Sequence, residues 1–252
     1  MLVIKAGGSV ITRGGDKPSF DLRAAARLGA VLARLDEPFI LVHGTGSYGK
    51  PPAVRYGYLD GRVRRGSAPV PEIKAGLAEL HRSLLRALRS AGLKAASCPG
   101  CEIFSLKRGR PALLAKGRLL RLLSKGFTPV INSDLFQAAR GEFRVVSSDA
   151  IAAELCRAFK PRLAAFFTAP PGGLLGADGK IIPCLERAAL KRFLKSCRPS
   201  PSDVSGGMAG KARELIRICS AGIPALVLSG SCPSGLPRFL AGGLRPGTLL
   251  RP

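Results

Sequence analysis

Four short stretches carry the residue types that could handle phosphate. Lys5-Ala6-Gly7-Gly8-Ser9 sets a lysine inside an apolar run directly before paired glycines. His43-Gly44-Thr45-Gly46-Ser47-Tyr48-Gly49, followed by Lys50, forms a second glycine-rich turn after an apolar run. Asp203-Val204-Ser205-Gly206-Gly207-Met208 leads into a helical pattern that carries Lys211, and Asp134 and Asp149 supply carboxylates. Glycine lets backbone N–H groups approach phosphate oxygens closely, and a helix start adds a favourable dipole. Moving a phosphoryl group is chiefly a matter of positioning and of neutralising spread-out charge. Two lysines from distant segments, two glycine cradles and one or two carboxylates meet that requirement.

Each residue also has a plainer reading. Lys5 could reach solvent from a strand end, Lys211 could be an ordinary helix-surface charge, and Asp149 a helix N-terminal charge. Asp134 could be a turn residue. His43 ends an apolar run, as a satisfied core histidine would, whereas His81 lies in a polar stretch and is expected on the surface. Tyr56 and Tyr58 either line an acceptor pocket or pack, with packing favoured for Tyr58. Among known phosphate motifs, GxxxxGK[ST] and the protein kinase set are absent. Gly44-x-Gly46-x-x-Gly49 matches the dinucleotide string, but no acidic residue follows about 20 residues on after a second strand.

These residues need elements to position them. Apolar runs at 2–6, 38–43, 127–132, 162–168 and 223–229 predict strands. Helical periodicity marks 21–35, 70–92, 147–158, 186–197 and 208–221, and 111–126 reads as a strand or turn and then a helix. Leu77, Leu80, Leu84, Leu85 and Leu88 form one face of the 70–92 helix and are expected in the core. Short strands alternating with helices predict an α/β fold with a mainly parallel central sheet. Ligands would sit beyond the carboxyl ends of its strands, at 6–17, 43–50, 132–137 and 168–173.

The 252 residues are 46% apolar, enough for a large core in one compact unit. No apolar run reaches the ~18 residues of a membrane span, and the first residues lack a secretory pattern, so a cytoplasmic protein is expected. The formal charge is +24, with basic residues dispersed along the chain, three Tyr and no Trp. That pattern argues against a nucleic-acid partner and for a positive field attracting polyanionic small molecules. The seven Cys are expected as reduced thiols, with Cys98-Pro99-Gly100-Cys101 an incidental pair. One Asn, one Gln and two Met hint at a thermophilic source or a GC-rich genome.

In order along the chain, MLVIKAGGSVIT, LVHGTGSYGKPPAVRYG, PVINSDLF with VVSSDAIAAEL, and DVSGGMAGKARELIRI resemble the isopentenyl phosphate kinases of the amino acid kinase superfamily. The resemblance runs from residue 1 to about 230 and implies a three-layer αβα sandwich with an open, mainly parallel sheet. It implies an acceptor-binding lobe at 1–145 and an ATP-binding lobe at 146–252, ATP with Mg²⁺, and a homodimer. Lys5 and Lys211 would then stabilise the moving phosphoryl group while Asp149 orients them. Gly7, Gly8, Ser9, Asp203, Gly206 and Gly207 would lie at the ATP phosphates. Gly44, Thr45, Gly46, Gly49, Lys50 and Asp134 would face the acceptor, and Arg13 or Lys17 would replace a further family lysine. The chain departs from the family at two places. Lys50 stands where the family has a histidine that hydrogen-bonds the acceptor phosphate. Thr168-Ala169-Pro170-Pro171-Gly172-Gly173 replaces a TDVDG stretch. These departures leave open another phosphate, phosphonate or carboxylate acceptor, as the related fosfomycin kinases have, or a non-catalytic nucleotide-binding paralogue.

Overall fold

A computed structural model describes residues 1–15, 17–56, 62–63, 69–138, 142–197 and 207–252. The first half of the chain runs β1 (Leu2–Ala6), α1 (Gly8–Ile11), α2 (Leu22–Leu32), β2 (Phe39–His43), α3 (Lys50–Arg55), β3 (Arg62–Val63), α4 (Pro69–Ser90), β4 (Ala95–Ser97), α5 (Gly100–Ile103), β5 (Phe104–Lys107), β6 (Arg110–Leu113), α6 (Lys116–Ser124) and β7 (Thr128–Asn132). It continues with β8 (Asp134–Gln137), β9 (Phe143–Val146), α7 (Ser148–Phe159), β10 (Leu163–Thr168), β11 (Cys184–Glu186), α8 (Arg187–Ser196), α9 (Gly207–Ser220), β12 (Ala225–Ser229), α10 (Gly235–Leu240) and β13 (Gly247–Arg251).

An eight-stranded sheet in the order β11-β13-β12-β10-β1-β2-β7-β4 forms the middle layer. Every neighbouring pair is parallel except β12 with β13. Period-two alternation along the strands feeds two cores, as a sheet covered on both faces requires. Leu2 and Ile4 of β1 join Leu41 and Phe167 under Leu28 of α2 and Leu77, Leu80, Leu84 and Leu88 of α4. Val3, Val42, Phe166 and Val227 point the other way, onto Ile151 and Leu155 of α7 and Leu215 and Ile218 of α9. The expected αβα sandwich is what forms, and the expected leucine face of α4 lies in its core.

Sequence patterning missed the β8–β9 hairpin, which pairs Asp134 with Val146 and Phe136 with Arg144. It also missed β13, which inserts between β11 and β12. Successive strands β1 and β2 run outward to one side, while β10 joins β1 on the other. The order therefore reverses at β1, which places the ligand crevice at its carboxyl end. No described helix is long and apolar enough to cross a membrane.

Candidate active site

At the carboxyl ends of β1 and β2 the two glycine turns meet backbone to backbone. A Cβ on Gly8 would stand 2.0 Å from the Gly46 nitrogen, and one on Gly44 would stand 2.7 Å from the Gly8 nitrogen. Only glycine permits that approach. Gly46 has φ +49, and a Cβ there would also strike Thr12 Oγ1. The Thr12 hydroxyl staples the two turns. It donates to the Gly8 carbonyl at 2.9 Å and accepts the Ser47 N–H at 3.1 Å. Each turn is also tied to a neighbouring strand, Gly7 N–H donating to Phe167 O and Gly44 N–H to Ala6 O, both at 2.9 Å. Thr12 was not singled out from sequence, although a hydroxyl four residues after a glycine at a helix start is a known back-bonding arrangement.

Below the turns, Lys5, Asp149 and Lys211 come together from β1, α7 and α9. Ser147 caps α7, its hydroxyl accepting the Ala150 N–H, and this places Asp149 in the first helical turn. Lys5 Nζ lies 3.0 Å from Asp149 Oδ1. Lys211 Nζ donates to the same oxygen at 2.9 Å and to Oδ2 at 3.1 Å, with the Phe166 ring beneath it. Two ammonium nitrogens on one oxygen are close enough to share one phosphate.

Lys5 is 5% exposed. Burial, reinforced by the like charge of Lys211 and opposed by Asp149, brings its ammonium down to about 8. Burial alone would raise Asp149, but the two ammonium groups outweigh it and hold the carboxyl well below the usual range. Two cations against one anion leave one positive charge in excess, so the site is poised to take an anion.

A cleft of about 620 Å³ opens over this group. It is lined by Gly7, Gly8, Ser9, Gly44, Thr45, Gly46, Gly49, Asp134 and Gly207 of the expected residues, and by Arg13 and Met208. Gly207, with φ +53, begins α9. Asp134, 8% exposed, accepts the Leu135 N–H at 2.7 Å and faces Lys74 at 3.7 Å. Ile73, Leu77, Leu135 and Val145 add an apolar wall beside it. Thr168, Ala169, Pro170, Pro171 and Gly173 line the cleft where the two aspartates of the TDVDG stretch were absent. Arg13 reaches Asp21 at 3.9 Å, and Lys17 is exposed away from the cleft lining. Asp203, Gly206 and Tyr58 lie outside the described residues, as does the side chain of Lys50, whose backbone begins α3. Tyr56 donates its hydroxyl to Glu72 and does not line the cleft.

His81 corrects the sequence reading, whereas His43 is the satisfied core histidine its apolar run suggested. His81, expected on the helix surface, is 5% exposed, and its ring meets that of His43 edge to edge, the two planes within 15° of each other. His43, 1% exposed, turns away from the cleft into this contact. The seven thiols are unpaired, including Cys98 and Cys101.

The amino acid kinase family model matches residues 1–229. An isopentenyl phosphate kinase of Haloferax volcanii is 30% identical over 255 aligned positions, covering 100% of this chain and 98% of that protein. One of Methanothermobacter thermautotrophicus is 26% identical, covering 96% of each. A crystal structure of an isopentenyl phosphate kinase substrate complex superposes with TM-score 0.79 at 21% identity, covering 100% of this chain and 99% of that one. Carbamate kinase from Giardia lamblia bound to AMP-PNP superposes with TM-score 0.72 at 12% identity, covering 99% and 97%. At those identities the two superpositions speak to fold alone.

Proposed function

The chain belongs to the amino acid kinase family, and from that premise we propose that it transfers the γ-phosphate of ATP to isopentenyl phosphate, giving isopentenyl diphosphate and ADP. The observation that carries the reading is the convergence of Lys5 and Lys211 on Asp149 beneath two interlocked glycine turns. An oxygen of the acceptor phosphate attacks the γ-phosphorus, and the bond to the β,γ-bridging oxygen breaks toward ADP. Charge then spreads over the equatorial oxygens of the moving group. Lys5 and Lys211 face that charge, while Asp149 holds the two amines in register without taking a proton. Gly7, Gly8, Ser9 and Gly207 take the ATP phosphates, and Asp203 and Gly206 would lie near them. Gly44, Thr45, Gly46, Gly49, Lys50 and Asp134 take the acceptor end, and Ile73, Leu77, Leu135 and Val145 suit a short hydrocarbon tail.

Residues 1–145 serve the acceptor in this reading and 146–252 the nucleotide. Mg²⁺ enters as the complex of ATP, held chiefly by phosphate oxygens. Among the described residues no cluster of three His, Cys, Asp or Glu could form a separate cage. A cytoplasmic homodimer completes the assignment. An ADP-release assay with isopentenyl phosphate tests it, turnover well above the ATP-only background being expected and none counting against this acceptor.

A second reading keeps the reaction and changes the acceptor to another phosphate, a phosphonate or a carboxylate. Lys50 in the family's histidine position and the 168–173 loop without aspartates favour it. A panel of acceptors, run on the natural chain and on Lys50→His, separates the two. The second reading wins if another acceptor is preferred and Lys50→His raises activity toward isopentenyl phosphate.

A further inference from the structure

His43 and His81 lie outside the catalytic group, yet their hydrogen bonds run in a defined direction to one of the glycine turns. His43 Nδ1 is 3.0 Å from the Gly44 carbonyl, and His43 Nε2 is 2.9 Å from His81 Nδ1. His81 Nε2 is 3.0 Å from Ser97 Oγ. A carbonyl only accepts, so His43 Nδ1 carries the hydrogen. In a neutral ring Nε2 then accepts, which makes His81 Nδ1 the donor and leaves His81 Nε2 to accept from the Ser97 hydroxyl. Burial, with the neighbouring His81 ring for His43 and Arg89 for His81 adding to it, brings the two rings to about 3 and about 4, so both are neutral near neutrality. Every ring nitrogen has a partner, and only one arrangement of hydrogens satisfies them all.

The chain ends on the peptide between Gly44 and Thr45. In a trans peptide the carbonyl and the following N–H point to opposite sides. Holding the Gly44 oxygen on the histidine side therefore turns the Thr45 N–H away from it. Thr45 lines the cleft, and among the described residues no protein acceptor takes that N–H.

We propose that Ser97, His81 and His43 are positioning residues that lock the Gly44–Thr45 peptide, so that the Thr45 N–H is presented to an oxygen of the phosphate-bearing acceptor. Their part is preorganisation, which removes the need to reorient a dipole as the anion arrives. The identity of the anion rests on the kinase reading above, whereas the tautomers do not.

The chain has two histidines, so nitrogen NMR of histidine-labelled protein resolves both. The expected spectrum at pH about 7 has both rings neutral and protonated at Nδ1, against the Nε2–H form that free histidine prefers. A ring found in the Nε2–H form, or charged, overturns the proposal whatever the enzyme's substrate. The second test places an amide at one ring-nitrogen position or the other. His43→Asn sets a donor near Nδ1 and His43→Gln near Nε2. We expect His43→Gln to raise the KM for isopentenyl phosphate by about tenfold, the scale of one hydrogen bond to a charged group. The KM for ATP should move little, and His43→Asn should recover most of the loss. Equal acceptor KM values for the Asn and Gln variants overturn the positioning role. If no acceptor turns over, the kinase reading has failed and the tautomers still decide the relay.

Discussion

Lys5 is a cation held 5% exposed against one carboxylate that it shares with Lys211. Removing either amine takes charge from the position where negative charge develops. Lys5→Ala and Lys211→Ala should each lower kcat by about a hundredfold or more, with ATP affinity measured separately by calorimetry. An unchanged kcat removes the assigned role. Asp149→Asn leaves two ammonium groups facing each other without their counter-ion, and breaking such a buried pair costs about 3 kcal/mol of stability. Urea unfolding checks that loss. The Lys5 ammonium, brought down to about 8 by burial, loses its proton as pH rises through that value. Because kcat/KM reports the free enzyme, it should fall on the alkaline side near there, while bound phosphates raise the Lys5 pKa and move the fall in kcat to higher pH. A flat kcat/KM profile to pH about 10 would sink the idea that the Lys5 charge matters. Lys5 was legible in sequence because a lysine inside an apolar run before paired glycines is rarely incidental. His81 was not, because its neighbours Glu79 and Arg82 are polar. It nevertheless stands four residues after Leu77 and three before Leu84, on the buried stripe of α4.

The glycine turns set the site at the level of elements, and their geometry separates required glycines from tolerated ones. Gly8→Ala drives a methyl group into the Gly46 backbone, where there is no flexible side chain to yield. It should lower stability by about 2 kcal/mol and nearly abolish turnover. Gly117, near the start of α6 and with Arg121 Nη1 3.6 Å from an added Cβ, is the contrast. Gly117→Ala should leave kcat intact and raise stability by a few tenths to about 1 kcal/mol, read from thermal melts and the ADP-release assay. Destabilisation at Gly117 equal to that at Gly8 would mean that close backbone approach is not what selects glycine at residue 8. The strands feeding these turns were readable as apolar runs because they are buried on both faces. The hairpin of β8 and β9 was not, because its partly exposed residues make a weak pattern and its pairing depends on where the chain turns. For β13 the deciding contacts lie with β11 and β12, and Gly-Thr-Leu-Leu-Arg holds only two adjacent apolar residues, too few to read as a buried run.

At the scale of the whole molecule the formal charge of +24 acts twice, with opposite signs. A field of one sign draws anionic substrates toward the cleft and raises their encounter rate, an effect that salt screens. The same excess repels itself within the folded chain, and screening relieves that repulsion. Raising ionic strength from about 20 to about 300 mM should therefore lower kcat/KM for ATP several-fold while raising Tm by a few degrees. Sodium chloride suits both measurements, because phosphate and sulfate would compete for the site itself. A parallel loss of activity and Tm would mean that salt acts on specific ion pairs, such as Arg110 with Glu214 at 2.8 Å, and that the net charge is incidental. Opposite movements would mark the basic composition as a substrate-gathering field maintained at the expense of fold stability. This also gives a positive charge dispersed along the chain a role that needs no nucleic-acid surface, since a diffuse field suffices for small polyanions.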